Sequence, residues 1–162
     1  MTNRIGTATR PPRVLPNMPP RWVFSMINPI AKRLLGAGIP MGYNGLITIR
    51  GRKSGEPRTT PVAIIEVSGR RWVWAPWGEV HWVLNLRAAG RATITSRGRQ
   101  EEVIARELDP PQRVSFFRDT LGPLVGSMPF GSAFIRIVDG VDLNRPTEAA
   151  DGRVVFELEP AT

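Results

Sequence analysis

The chain has 162 residues, 22 Lys+Arg against 14 Asp+Glu for a net charge of +8, and no cysteine. The length suits one domain with a single core and a short extension; the missing cysteines exclude disulfides, thiolate zinc sites and cysteine nucleophiles. The basic balance implies an anionic partner, and nucleic acid, anionic lipid and a polyanionic cofactor all satisfy it. No stretch reaches the roughly 18 apolar residues of a membrane span. Residues 1–20 lack the apolar segment of a signal peptide, so the cytoplasm is the expected compartment.

Residues 1–20 hold five prolines and few apolar side chains, which predicts a disordered or extended arm ahead of a single domain over 21–162. Over 21–35 the apolar residues Trp22, Val23, Met26, Ile27, Ile30, Leu34 and Leu35 recur at roughly helical spacing, so an amphipathic helix is expected, interrupted at Pro29. Two roles are open for it: packing on its own domain, or a peripheral contact with the inner membrane face or a second copy, with Arg21, Lys32 and Arg33 at its polar edge.

From Asn44 the apolar period switches to two. Leu46–Ile49 reads as a strand, GRKSGEP as a turn, Thr59–Val67 as one second strand and Ser68-Gly69 as a hairpin turn. A third strand covers Arg71–Ala75, where alternation puts Trp72 and Trp74 on one face and at least one of them in the core. Pro76-Trp77-Gly78 breaks it. Glu79–Ala88 suggests a helix, and Arg91–Ser96 with Glu101–Glu107 a hairpin across Arg97-Gly98-Arg99. Pro110-Pro111 opens a helix over Gln112–Leu121, in the first turn where proline is tolerated. Residues 122–151 receive no assignment, and Val154–Leu158 is a closing strand. Five or six short strands with helices among them predict a small mixed barrel, mainly β, rather than a doubly wound sheet.

The densest chemical signal is RGRKSGEPRTTP at Arg50–Pro61. Arg50, Arg52, Lys53 and Arg58 fall around two glycines and a proline, and Ser54, Thr59 and Thr60 add hydroxyls. Glycines let a backbone turn sharply beside a ligand, and guanidinium forks bind phosphate and carboxylate oxygens in pairs. The segment is an anion cradle or a solvated basic turn; it lacks the residue order of a P-loop. The single histidine, His81, has no second histidine for a metal site, and Glu79, two residues away, does not share a helix face with it.

The run Leu46–Val62, LITIRGRKSGEPRTTPV, resembles the signature of the deazaflavin-dependent nitroreductase family: a strand, GRKSG, and an R-x-x-P arm. Trp72–Arg91, WVWAPWGEVHWVLNLRAAGR, resembles the family's next strand, glycine loop and helix, with Trp82, Asn85, Leu86, Arg87 and Ala88 matching. The likeness covers about positions 26–108, with a weaker match at Val154–Pro160. It implies a split β-barrel similar to the flavin-dependent pyridoxine phosphate oxidases, with N-terminal and peripheral helices. It also implies coenzyme F420, a deazaflavin with a phosphate linker and an oligoglutamate tail. By resemblance Arg52, Lys53 and Arg58 face the phosphate and tail, Ser54 and Gly55 shape the turn, and Thr60 belongs to the same arm. Pro61 lies near the ring, Ala75, Pro76, Trp77, Gly78 and Glu79 approach it with backbone groups, and Trp82 and Asn85 line the pocket from the helix. The chain departs from the family's serine–basic–Gly-Gly loop with Ala75-Pro76-Trp77-Gly78-Glu79, and its one tyrosine is Tyr43.

The reading is an F420-dependent oxidoreductase passing a hydride between reduced deazaflavin and an apolar, unsaturated or quinone-like acceptor. Flavin mononucleotide (FMN) is the alternative cofactor, and a homodimer is open. The rival readings are a non-catalytic binder of F420, flavin, haem or lipid on the same barrel, and a basic nucleic-acid-binding module.

Overall fold

The computed structural model describes residues 10–16, 44–127 and 140–162. The expected helix at 21–35 lies outside them, as do most of the N-terminal arm and residues 128–139.

Seven strands form one antiparallel sheet. They are β1 (Gly45–Arg50), β2 (Pro57–Val62), β3 (Ile64–Val67), β4 (Arg70–Ala75), β5 (Arg91–Ser96), β6 (Arg99–Glu107) and β7 (Val154–Pro160). Their order in space is β2-β1-β5-β6-β7-β4-β3. The single strand expected over Thr59–Val67 is corrected to two. β2 and β3 are separated by Ala63 alone, yet they occupy opposite edges of the sheet. The sheet must therefore curl until its edges lie one residue apart, giving a barrel split along that seam. A continuous apolar run does not reveal this break, because both halves keep the strand period.

Two features close the seam, and a third, the Thr48–Thr59 contact, braces the adjoining β1–β2 pair. The Asn44 side chain donates to the carbonyl of Ile64 at 2.7 Å and accepts from its N–H at 2.6 Å, acting as one extra rung between β1 and β3. A Cβ on Gly45 would lie 2.4 Å from the Ile64 side chain, so glycine permits the close approach. The Thr48 and Thr59 hydroxyls meet at 2.8 Å on the outer face of β1 and β2.

Inside the sheet lies one apolar cluster with residues from every strand, among them Ile47, Ile49, Val62, Ile64, Val73, Ile94, Val103 and Phe156. Helix α1 (His81–Ala89) plugs it with Val83 and Leu86. Gly90 ends α1 at φ 69°, its N–H on the Leu86 carbonyl. The β3–β4 and β5–β6 hairpins turn on Ser68-Gly69 and Arg97-Gly98, with both residues of each pair at positive φ. That geometry matches the twist of the flanking strands.

The outer face of β4 and β7 carries the other members of the alternation, and both Trp72 and Trp74 are buried there. A helical layer covers them: α2 (Pro110–Ser115), a π-helical turn Phe116–Leu121, α3 (Gly122–Gly126) and α4 (Pro146–Ala150). The Asp109 side chain and Gln112 form a reciprocal capping box at the start of α2. The helix runs past the expected end at Leu121, and it widens where Pro123 has no N–H for the Asp119 carbonyl. Gly122 instead donates five residues back, to Phe117. Phe117 meets Trp74 edge-to-face at 5.5 Å and Phe116 at 5.3 Å, contacts worth about 0.5–1.5 kcal/mol each beyond burial.

Replacing Asn44 with alanine removes both seam hydrogen bonds and leaves the Ile64 amide and carbonyl unpaired. We expect a loss of about 1–3 kcal/mol, read as a lower urea midpoint at unchanged m-value. Unchanged stability would mean that the seam is held by packing alone.

Candidate functional site

The β1–β2 turn stands at one rim of the barrel, and part of its backbone is satisfied within the turn. Gly51 donates to the Glu56 carbonyl at 2.8 Å, and Gly55, at φ 72°, donates to the Gly51 carbonyl at 2.9 Å. Ser54 Oγ accepts from the Glu56 N–H at 3.2 Å. A Cβ on Gly51 would sit 2.9 Å from that hydroxyl, so the tightness of the turn explains glycine there.

Arg52 ties the turn to α1. Its N–H and its Nη1 both donate to Asn85 Oδ1, at 3.2 and 2.8 Å, and Asn85 is buried. Asn85 lies one helical turn after Trp82, whose ring packs 6.3 Å from Phe156 at the inner wall. The structure thus brings together Arg52, Asn85 and Trp82. Lys53 and Arg58 are exposed on the same turn and its following strand. Thr60 pairs with Ile47 and Pro61 with Leu46, so these two take opposite faces of β2 and cannot both touch one flat ring.

Arg50, Lys53 and Arg58 have no carboxylate partner among the described residues. Other arginines do: Arg70 and Arg106 share Glu157, Arg71 holds Glu101, and Arg87 holds Glu79 and Glu107. The turn therefore keeps its positive charge uncompensated apart from exposed Glu56, as do Arg91, Arg97 and Arg99 of β5–β6, while Arg70, Arg71, Arg87 and Arg106 are neutralised locally.

The segment Ala75–Glu79, expected to approach the ring, is covered by the N-terminal arm. Ala75, Trp77 and Gly78 are buried. Gly78 donates to Ala75 at 3.3 Å, Glu79 donates to the Arg13 carbonyl at 2.9 Å, and the Trp77 carbonyl accepts from Leu15 at 3.0 Å. The extended segment Arg10–Pro16 is laid along it, with Val14 bridging Gly78. A Cβ on Gly78 would fall 2.5 Å from the Arg13 carbonyl oxygen and 2.8 Å from that of Gly152. Pro76 has no N–H and the arm takes that of Glu79, so two backbone donors of the segment expected to approach the ring are not offered to it in this arrangement. This part of the arm lies extended against the barrel: Arg13 and Leu15, which keep their N–H groups, make the contacts, and Pro11, Pro12 and Pro16 are tolerated because the segment lies at an edge.

Sequence reasoning missed the carboxylate that organises this rim. Glu79 Oε2 accepts from the Arg13 N–H at 2.7 Å, and Oε1 accepts from Arg87 Nη1 at 2.7 Å. Arg87 also grips Glu107 through Nε and Nη2 at 2.6 and 2.7 Å. The Arg13 amide, aided by Arg87 and Arg10 and opposed by burial, holds the Glu79 carboxyl below its ordinary range. Only the i,i+8 placement of Glu79 and Arg87 across the helix start hinted at it. His81 is exposed at the start of α1. Among the described residues no cluster of metal-binding side chains occurs, and no helix is long and apolar enough to cross a membrane.

The F420H(2)-dependent quinone reductase family model matches residues 29–123, which include the turn, α1 and the strands between. The chain belongs to this family. It is an F420-dependent reductase, and F420 is its cofactor. The uncompensated cations of the 50–58 turn fit the phosphate and oligoglutamate of that cofactor. The split-barrel fold is shared with a solved chain described as a domain-swapped dimer, at 20% identity over 86% of this chain and 98% of that one, TM-score 0.51. It is also shared with a conserved hypothetical protein of Mycobacterium tuberculosis, at 13% identity over 93% and 84%, TM-score 0.50. A solved F420-H2 dependent reductase is 22% identical over 72% of this chain and 94% of that one, at a lower TM-score of 0.47. No curated protein matches the chain in sequence.

Because Glu79 has a folded pKa below its unfolded value, its contribution is complete above the ordinary value of 4.5 and disappears as pH falls through the lowered one. The stability gap between wild type and Glu79→Gln should accordingly be widest near neutrality and narrow in acid. Urea titrations at stepped pH measure it, and a gap that stays constant with pH would show that Glu79 is not linked to folding.

Proposed function

We infer that the 50–58 turn carries the anionic part of F420, with Lys53 and Arg58 on its charges and Arg52 held in place by Asn85. Thr60 or Pro61, Trp82 and the covered segment 75–78 flank the ring end. The observation that carries this reading is the group of carboxylate-free cations on a turn tied by two hydrogen bonds to the helix that plugs the barrel. A ligand with several negative charges gains from several charge-assisted contacts along its length, more than FMN with one phosphate. Bound reduced deazaflavin supplies a hydride. The chain's part is to bind, orient and exclude water, which requires no protein nucleophile. The acceptor that fits the family description is quinone-like, apolar and unsaturated.

Substituting Lys53 or Arg58 by alanine should weaken F420 about tenfold or more, on the scale of one charge-assisted contact. Arg97 and Arg99, equally basic but on the β5–β6 hairpin, serve as controls and should have little effect. Fluorescence titration with F420 and FMN side by side reads both comparisons. Equal losses at all four positions, or tighter FMN than F420 binding, would sink the assignment of the turn. Tight F420 binding without reduction of a soluble quinone would point instead to a binder with no turnover.

A second consequence concerns Arg52 and Asn85. If the pair acts by holding the turn, Arg52→Ala and Asn85→Ala should each weaken F420, and the double variant should cost little more than either alone. Additive losses in the titration would mean that each contacts the ligand independently.

A further inference from the structure

The contact between the arm and the Trp77–Glu79 strip is left unexplained by the cofactor reading. Val14 bridges Gly78. On either side of that bridge the Glu79 N–H donates to the Arg13 carbonyl at 2.9 Å, and the Leu15 N–H donates to the Trp77 carbonyl at 3.0 Å. The Arg13 N–H in turn donates to the Glu79 carboxylate at 2.7 Å. The arm lies ahead of residues 29–123, which match the family, so family membership does not call for it.

Two resources of the strip are taken up by this contact. A backbone N–H has one hydrogen to donate, and that of Glu79 goes to Arg13. Gly78, at φ 84°, leaves room for another group to come close to its backbone. The Arg13 carbonyl fills that room, since a Cβ on Gly78 would lie 2.5 Å from its oxygen. A ring carbonyl brought to this strip would need the same donor and the same space. Ring and arm therefore exclude each other there.

The arm is also weakly held. Arg13 pairs with Asp151 at 3.2 Å and Arg10 with Glu79 at 3.7 Å, but the Arg10, Arg13 and Asp151 side chains are all exposed, and pairs in that setting contribute little. Leu15 lies against Gly152, where a Cβ would come within 2.9 Å of its Cδ2, while Val14 is exposed. Three hydrogen bonds and one apolar side chain hold an edge segment of this kind, and such segments open locally well before the barrel does.

We propose that residues 13–15 are an autoinhibitory strap, which occupies the Gly78–Glu79 face that the deazaflavin ring uses and lifts off when F420 binds. The inference rests on the F420 reading of this site. Where only the lifted fraction of molecules can bind, the apparent Kd is raised by the inverse of that fraction. Loosening the strap then tightens F420 binding without adding a contact to it.

Two variants of the full chain and one proteolysis assay test this. Leu15→Pro removes the N–H that holds Trp77 and should tighten F420 about threefold or more. Arg13→Pro removes the N–H that holds the Glu79 carboxylate and should tighten it about tenfold. Arg13→Pro also deletes a cation, which by charge alone would weaken an anionic ligand, so the direction of the change is diagnostic. Neither residue belongs to the sheet. In the wild type, trypsin cuts after Arg13, whose carbonyl is the one bonded to Glu79, whereas the bond after Arg10 precedes Pro11 and resists it. Saturating F420 should speed release of the fragment beginning at Val14. A ligand that only stabilised the fold would slow every cut. The strap is overturned if F420 leaves cleavage after Arg13 unchanged or slower, or if neither proline variant binds F420 more tightly than wild type. Should that happen while Lys53→Ala still weakens F420, the cofactor turn stands and the strap alone fails. Absence of saturable F420 binding to wild type and both proline variants overturns the strap and the F420 reading together.

Discussion

The inward-facing side chains of seven strands share one apolar cluster with Val83 and Leu86 of α1, and burying that cluster forces the sheet to curl until β2 and β3 meet across Ala63. The rest of the molecule depends on this closure. Curling sets the β1–β2 turn and α1 at a common rim, where Arg52 can reach Asn85. It also turns the opposite alternation of β4 and β7 outward, where Trp72 and Trp74 need a cover, and the α2–α3 layer supplies one. Hydrophobic burial is non-directional, so the direction comes from the seam: the paired hydrogen bonds of Asn44 and the space left by Gly45.

Electrostatics divides the surface in two. Around β4, β7 and α1, arginines are neutralised by carboxylates on neighbouring elements, as in Arg71–Glu101 across the barrel and Glu107–Arg87–Glu79 along the rim. Exposed pairs of this kind contribute little stability each, but they cancel local charge. On the 50–58 turn the cancellation is missing apart from Glu56, as it is on the β5–β6 hairpin, but only the turn is tied to the helix that plugs the barrel. A net charge of +8 is thus less informative than where charge is left uncompensated.

The rim combines a braced turn with a segment laid over its neighbour. The turn is tied to α1 through the backbone and side chain of Arg52, so its side chains are presented from a fixed frame, which lowers the entropic cost of binding. The Arg10–Pro16 segment, by contrast, is held over Trp77–Glu79 by a few backbone hydrogen bonds and the Glu79 carboxylate. Membership in the F420H(2)-dependent quinone reductase family explains why the turn and α1 occur together. It does not account for the arm, which lies ahead of the matched residues 29–123.

The sequence by itself determined the elements with local causes. Alternating apolar residues marked β1, β4, β5, β6 and β7, Ser68-Gly69 and Arg97-Gly98 marked the hairpins, and Pro110-Pro111 marked the start of α2. It also located the cationic turn and, through resemblance, the cofactor class, because glycine spacing and arginine density are properties of a short segment. The tertiary structure decided what depends on partners distant in sequence. It split Thr59–Val67 between two sheet edges, since strand periodicity is blind to which neighbour a strand pairs with. It assigned Glu79 to Arg13 and Arg87, and it covered residues 75–79 with a segment some 60 positions earlier. It also distinguished the cations of the turn from those shared out to carboxylates: composition counts charges, but only the fold brings each one to its counter-charge or leaves it without one.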